Sequence, residues 1–330
     1  WHTSNLYEIP HQRDLAQALT ANTFADLVFF ANSGAEALEG CIKAARRFHH
    51  LRGNPQKYRI IGANSAFHGR TMATISAGNN AKHLEGFGPR VDGFDHVAYN
   101  NLNELRAAIT EETAAVLVEP IQGEGGIAPA DLSYLIALRE TCDEYGILLI
   151  FDEVQCGVGR TGRLFAHQWA DGAADPDLMA VAKGIGGGFP LGACLASEDA
   201  AIGMVAGTHG STYGGNPMAC AVGGAVMDIV ADDTFLNGVG RTAALFRQKL
   251  EGLVACHPDV FEKVRGLGLM IGIKCKVKNI DMVLAGYDAG VLVVPGGDNV
   301  IRLLPPLNIS DEEVGQAVEM LDTAATALEA

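Results

Sequence analysis

Short runs of consecutive apolar residues recur through the first two thirds of the chain, at 27–31, 59–64, 114–119, 147–151, 178–182 and 192–196. A strand with one solvated face alternates apolar and polar positions, whereas a strand covered on both faces has no need to. The runs therefore predict a mostly parallel sheet between helix layers. Stretches of helical period separate them, as at 132–145, where Leu135, Leu138 and Cys142 share a face. The nearly apolar stretch around Met218 to Met227 is far shorter than the roughly 18 residues of a membrane span, so it reads as a buried helix. After residue 230 the pattern changes. A helix at 241–256 precedes strand-like runs at 263–275, 291–294 and 300–304, and a last helix covers 311–328, opened by the capping-box pair Ser310 and Glu313. The expected fold class is α/β. A large α/β/α domain spans 12–230, a small α+β domain spans 231–330, and residues 1–11 read as the remnant of an N-terminal segment. Neither an internal repeat nor a long linker is visible.

Composition narrows the function. A net charge of −15 speaks against a nucleic-acid partner, which favours a basic face. The seven cysteines form no C-x-x-C pair, and their odd number argues against a disulfide framework and for a reducing, cytoplasmic setting. No signal-peptide pattern is present. The chain starts at Trp1 rather than Met, so the true start is expected upstream.

Four places carry candidate chemistry. Ser33, Gly34, Ala35 and Glu36 follow an apolar run and open a helix; free N–H groups at such an end suit a phosphate, and Gly34 allows close approach. A second polar turn, His209 to Pro217, offers Ser211 and Thr212 among glycines. Asp152 ends the apolar run 147–151, where open α/β sheets place ligands. A carboxylate there needs a cation or several donors, and a protonated pyridine nitrogen would serve. Lys183 ends the next run before a glycine-rich stretch and is a candidate amine nucleophile. Taken singly, each has an ordinary reading: a strand–helix junction, a loop, a capping aspartate, a surface lysine. Together they are the parts that a pyridoxal phosphate site requires.

Seven motifs add to this: SGAE (33–36), FHGRT (67–71), VEPIQGEGG (118–126), LLIFDEVQ.GVGRTG (148–162), AKGIGGGFPLGA (182–193), HGSTYGGNP (209–217) and GDNVIRLLPPL (297–307). With these the chain resembles the class III aminotransferases of aspartate-aminotransferase fold type I, and is most similar to members that act on N-acetylornithine in arginine biosynthesis. The resemblance implies that Lys183 holds pyridoxal 5'-phosphate as a Schiff base and Asp152 pairs with the ring nitrogen. It implies that Gln155 lies near the ring hydroxyl, with Val154 on one ring face and Phe67 on the other. Ser33, Gly34 and Ala35 would bind phosphate, and His68 would lie beside the cofactor. Thr212 would bind the phosphate of the neighbouring subunit's cofactor, making a homodimer the active unit. On the substrate side the resemblance implies Ser211, Glu119, Glu124, Arg70 and Arg302. Arg70 would hold a distal carboxylate and Arg302 one beside the reacting carbon. N-acetylornithine has only the distal one, and Glu124 would then neutralise Arg302. The expected reaction is a ping-pong transfer of the amino group to 2-oxoglutarate, with Lys183 moving the proton. The motifs leave ornithine, succinylornithine or 4-aminobutyrate open as alternative donors.

A rival reading starts from Gly157-Val158-Gly159-Arg160-Thr161-Gly162, a literal G-x-G-x-x-G. A dinucleotide-binding oxidoreductase would place its first glycine directly after the strand and a long helix after the last one. Here Asp152 to Cys156 intervene and no long helix is signalled. The histidines lack a metal-ligand spacing. A non-catalytic protein that keeps the fold is the third reading, and no residue needed for chemistry is replaced.

Overall fold

A computed structural model describes residues 1–329. The strands up to residue 196 are β1 (Leu27–Ala31), β2 (Arg59–Ala63), β3 (Phe94–Val97), β4 (Thr113–Val118), β5 (Ile121–Gln122), β6 (Ala128–Pro129), β7 (Leu148–Asp152), β8 (Leu178–Val181) and β9 (Gly192–Ala196). Seven of them form one sheet in the order β1-β9-β8-β7-β4-β2-β3. Its pairs are parallel from β3 to β8, while β9 runs antiparallel between β8 and β1. The sheet is thus mostly parallel with helices on both faces, as the apolar runs predict.

Strand β7 shows why the runs lack alternation. Leu148 and Ile150 pack with Leu38 and Cys41 of the helix Gly34–Leu51. Leu149 and Phe151 meet Leu135 and Leu138 of the helix Leu132–Tyr145 on the other face. Each such side chain contributes roughly 1.5–3 kcal/mol when fully buried. The centre of the sheet is therefore its least deformable part, and β7 and β8, which lead to Asp152 and Lys183, lie there.

A second, antiparallel sheet follows: β10 (Phe261–Leu267), β11 (Met270–Cys275), β12 (Val294–Gly296) and β13 (Val300–Leu303), in the order β10-β11-β13-β12. It packs on the helices Asp233–Cys256, Asn279–Ala289 and Asp311–Glu329 around Phe246, Leu250, Ile271 and Leu321. Ser310 and Glu313 make the expected reciprocal cap, at 3.2 Å and 2.8 Å.

Some expectations need correction. Strand β3 adds to the predicted set; it carries Asp95 and His96 and lies at the sheet edge, so it shows no apolar run. The helix expected from 241 begins at Asp233, where Asp232 caps Phe235 N at 2.9 Å; Gly238 and Gly240 hide this first part. The run at 291–294 becomes strand only from Val294, because Val291 N bonds Gly286 O and closes the preceding helix. The helix Pro217–Val230 buries only one face, leaving Met218 39% and Ile229 58% exposed. No helix among the described residues is long and apolar enough to cross a membrane.

Candidate active site

Asp152 is the last residue of β7 and is buried. Its Oδ1 accepts from Val154 N at 3.0 Å, and its Oδ2 lies 2.8 Å from His68 Nδ1. Burial works against the His68 imidazolium, but the bond and charge of Asp152, aided by Glu119, outweigh it and raise its pKa. The pair is therefore a carboxylate braced by an imidazole that keeps its proton more readily than a free one, which offsets part of the cost of burying Asp152. Glu119 follows β4 directly. Its Oε2 accepts from Phe67 N at 3.0 Å and its Oε1 from Gly123 N at 3.2 Å. Burial, then the charge of Asp152, pushes its carboxyl up to about 7.

Lys183 stands two residues past β8 and opens a short 3-10 turn, Lys183–Gly186. Its φ of 48° is uncommon for a residue with a Cβ. Such strain persists where the surroundings over-determine it, often at functional sites.

Asp152 and Lys183 line one cavity of about 320 Å³. Ser33, Gly34 and Ala35 form its helix-end wall, with Phe67, His68, Val154 and Gln155 around them and Glu119 and Glu124 beside. Ser33 Oγ caps the helix by accepting from Glu36 N at 3.3 Å. The Glu36 carboxylate returns to Asn32 N at 2.7 Å rather than to Ser33, so the cap is not the reciprocal box its spacing suggests. A Cβ on Gly34 would come within 2.8 Å of Val154 Cγ1, so only glycine lets the helix end meet that side chain.

A phosphorylated hydroxypyridine aldehyde makes specific demands, and the cavity meets them. The helix end at Gly34 and Ala35 offers N–H groups. Asp152 supplies a carboxylate at the sheet's carboxyl edge. Val154 and Phe67 supply apolar surface. Gln155 Oε1 is buried with no partner among the described residues, an acceptor suited to a ring hydroxyl. Lys183 supplies the amine. The volume lies at the lower end of the roughly 300–1,000 Å³ common for such sites.

The remaining expected residues lie outside this cavity. The Arg70 guanidinium sits 5.4 Å from the Phe67 ring centroid. Arg302, on β13, is buried; its Nη1 lies 2.8 Å from Glu124 Oε1 and its Nη2 3.1 Å from Pro295 O. Ser211 and Thr212 lie apart from this cavity within the single chain. They line a separate hollow of about 480 Å³ that shares Asn32 with the first cavity. Ser211 Oγ is held within its own neighbourhood, by Asn32 Nδ2 at 3.1 Å and Gly214 N at 2.9 Å.

Two features carry little signal in the sequence. Gly69, at φ 128°, lies where a Cβ would be 2.8 Å from Ala35 Cβ, and so lets the Phe67–His68 segment lie against the helix end. The stretch from Gly188 to Leu191 forms another wall, signalled only by the glycines after Lys183. Cys156 is buried and burial pushes its thiol well up, which suits packing rather than nucleophilic chemistry. The G-x-G-x-x-G loop is also explained. Its glycine N–H groups bond Glu153 O, Leu164 O and Gly159 O, so none is left to cradle a phosphate.

Comparison with known proteins identifies the family. The chain matches the family Aminotransferase class-III over residues 1–325. It is 58% identical to an acetylornithine aminotransferase of Agrobacterium fabrum, over all of this chain and 82% of that protein. Among solved structures it resembles the N-acetylornithine aminotransferase from Stenotrophomonas maltophilia, with a TM-score of 0.86 and 35% identity over 100% of this chain and 83% of that one. An ornithine aminotransferase from Toxoplasma gondii, whose active site is partly occupied by PLP, matches with a TM-score of 0.93 and 30% identity over 99% and 79%. With that match running through residues 1–325 and enclosing one cavity shared by Asp152 and Lys183, this chain belongs to the class III aminotransferases, which work with pyridoxal phosphate.

Proposed function

We propose that the chain moves the terminal amino group of N-acetylornithine to 2-oxoglutarate, giving N-acetylglutamate 5-semialdehyde and glutamate. The observation that carries this reading is the 58% identity, over the whole chain, to an enzyme named for that donor. An ornithine donor is favoured by shape, since the ornithine enzyme has the higher TM-score, but at only 30% identity. Side chains rather than backbone shape choose a donor, so the identity weighs more.

Pyridoxal phosphate, when bound, supplies an aldehyde that takes up the amine and a ring that draws off electron density. Lys183 Nζ would hold it, and would afterwards take a proton from the substrate carbon that bears nitrogen and return it as acid. Asp152, braced by His68, would keep a proton on the ring nitrogen. Ser33, Gly34 and Ala35 would hold the phosphate, Val154 and Phe67 would flank the ring, and Gln155 would meet its hydroxyl. Arg70 would hold a distal carboxylate. Arg302 would hold the carboxylate beside the reacting carbon of glutamate and 2-oxoglutarate. The 2.8 Å pair between Arg302 and Glu124 supports a gate: Glu124 neutralises Arg302 while a donor lacking that carboxylate is present. The exposure of Thr212 outside the cavity supports a homodimer in which it reaches the neighbouring cofactor's phosphate.

The test is a comparison of kcat/KM for N-acetylornithine, succinylornithine, ornithine and 4-aminobutyrate with 2-oxoglutarate. N-acetylornithine is expected to lead; a higher value for ornithine or 4-aminobutyrate would overturn the donor assignment.

A further inference from the structure

The glycine N–H groups of the G-x-G-x-x-G loop are already bonded, and the loop is strained and tightly packed. Val158, β-branched and buried, has φ 53°, and Gly159 and Gly162 have φ 80° and 86°. A Cβ on Gly159 would lie 2.7 Å from Val230 Cγ1 and 3.2 Å from Leu307 Cδ1. The loop thus sits as a wedge between the first sheet's helices and the segment that leaves β13. Across it, a Cβ on Gly268 would strike Thr161 Cα at 2.5 Å, so the β10–β11 turn rests directly on the loop.

Arg160 is the link at the centre. Its backbone O accepts from Leu269 N at 2.9 Å. Its Nη1 donates to Leu269 O at 3.3 Å and also to Pro305 O. No carboxylate pairs with it among the described residues, and burial alone lowers its pKa to about 10. A partly buried guanidinium spent on two carbonyls that flank another sheet is costly unless the tie matters. Pro305 lies three residues beyond Arg302, and Arg160 lies five residues beyond Gln155. The tie is therefore a short path between the ring-facing residues and the carboxylate-facing arginine. A second tie, Gly297 N to Glu124 O at 2.7 Å, holds the other side of Arg302's surroundings.

We propose that Arg160 is a positioning residue that sets the reach of Arg302 toward the carboxylate beside the reacting carbon, by clamping the Pro305 segment to the loop that follows Gln155. This rests on the reading of Arg302 given above. Arg160 touches neither cofactor nor substrate in this role. Its loss moves Arg302 away from its best distance, and the penalty falls on acceptors that carry a carboxylate next to the carbonyl.

The test uses the pyridoxal-phosphate-loaded enzyme with Arg160→Met and Arg302→Met. Two acceptors are compared: 2-oxoglutarate, which has that carboxylate, and succinic semialdehyde, which has only a distal one. Calorimetric binding of glutarate and the melting temperature are read on the same samples. Each substitution is expected to lower kcat/KM for 2-oxoglutarate about tenfold or more relative to the semialdehyde, chiefly through KM, and to weaken glutarate binding. If Arg302→Met shifts the ratio and Arg160→Met does not, the inference is overturned and the role of Arg302 stands. If neither shifts it, the role of Arg302 falls as well. Equal losses on both acceptors with a lower melting temperature would show a merely structural arginine and also overturn the inference. Arg160→Lys, which keeps a cation with fewer donors, takes the place of Arg160→Met should that variant not fold. It is expected to show part of the same shift, and an unchanged ratio there would overturn the inference too.

Discussion

Asp152 ends and Lys183 follows neighbouring parallel strands of one sheet, whereas Arg302 sits on β13 and meets Glu124 of the turn between β5 and β6. The first pair is fixed by strand register: β7 and β8 are hydrogen-bonded, buried on both faces and cannot slide without exposing their apolar rows. The second pair depends on a few polar ties, Arg160 to Pro305 and Gly297 to Glu124. The region of Asp152 and Lys183 is thus held by the core and that of Arg302 and Glu124 by a few polar contacts, which under the proposed gate would adjust between two substrates.

The contrast can be broken most severely at Lys183. Lys183→Ala should lower turnover by about 10³-fold or more while leaving the melting temperature of the cofactor-free protein nearly unchanged, since the side chain is exposed. Stopped-flow or coupled assays check it, and appreciable activity in the variant would remove Lys183 from the mechanism.

A smaller and more selective effect belongs to Arg302. Arg302→Met should raise KM for 2-oxoglutarate roughly 10–100-fold, the scale of a lost hydrogen bond to a charged group. The half-reaction with N-acetylornithine should change little. Parallel losses in both half-reactions would show that the carboxylate-facing region is not a separate device.

Glu119 bridges the two regions, holding Phe67 and the Glu124-bearing turn through its two oxygens. Its carboxyl is raised to about 7. As pH falls below that value, the group takes a proton and weakens as an acceptor, so kcat/KM should show an acid limb near 7 that Glu119→Gln removes. For stability the sign is opposite. Between about 4.5 and 7 the native state binds the extra proton, so this group's contribution falls as pH rises through that window. Glu119→Gln should flatten this part of the melting-temperature profile, and an unchanged profile would show that the group does not titrate there.

The smallest effect is expected at Ser33. Ser33→Ala removes the cap on Glu36 N and should cost about 1 kcal/mol of stability. A thermal melt measures it, and any larger loss of cofactor affinity would show the hydroxyl also serving the phosphate.

Much of the first region is legible in the order of the amino acids alone. An apolar run ending in one charged residue states where a buried strand stops and what it presents, so β7 with Asp152 and the β8 run with Lys183 can be read directly. Strand β3 and the first turns of the Asp233–Cys256 helix cannot, because edge position and early glycines erase the periodic signal. Resemblance places Glu119 among substrate residues; its grip on two backbone N–H groups depends on loops whose approach no local pattern encodes. The glycine loop at 157–162 is legible as a turn, but whether its N–H groups are free or already bonded is not.

Local order along the chain, then, determined the buried strands, the helix start at Ser33 and the charged residues at the strand ends, since period, capping and burial act over a few neighbouring residues. Tertiary structure alone decided that Arg160 would spend its guanidinium on the Leu269 and Pro305 carbonyls that flank the other sheet, and that Ser211 would be held beside Asn32 in a hollow apart from the cavity of Asp152 and Lys183. Those outcomes depend on how two separately packed sheets come together, a matter of long-range contact that no stretch of sequence specifies by itself.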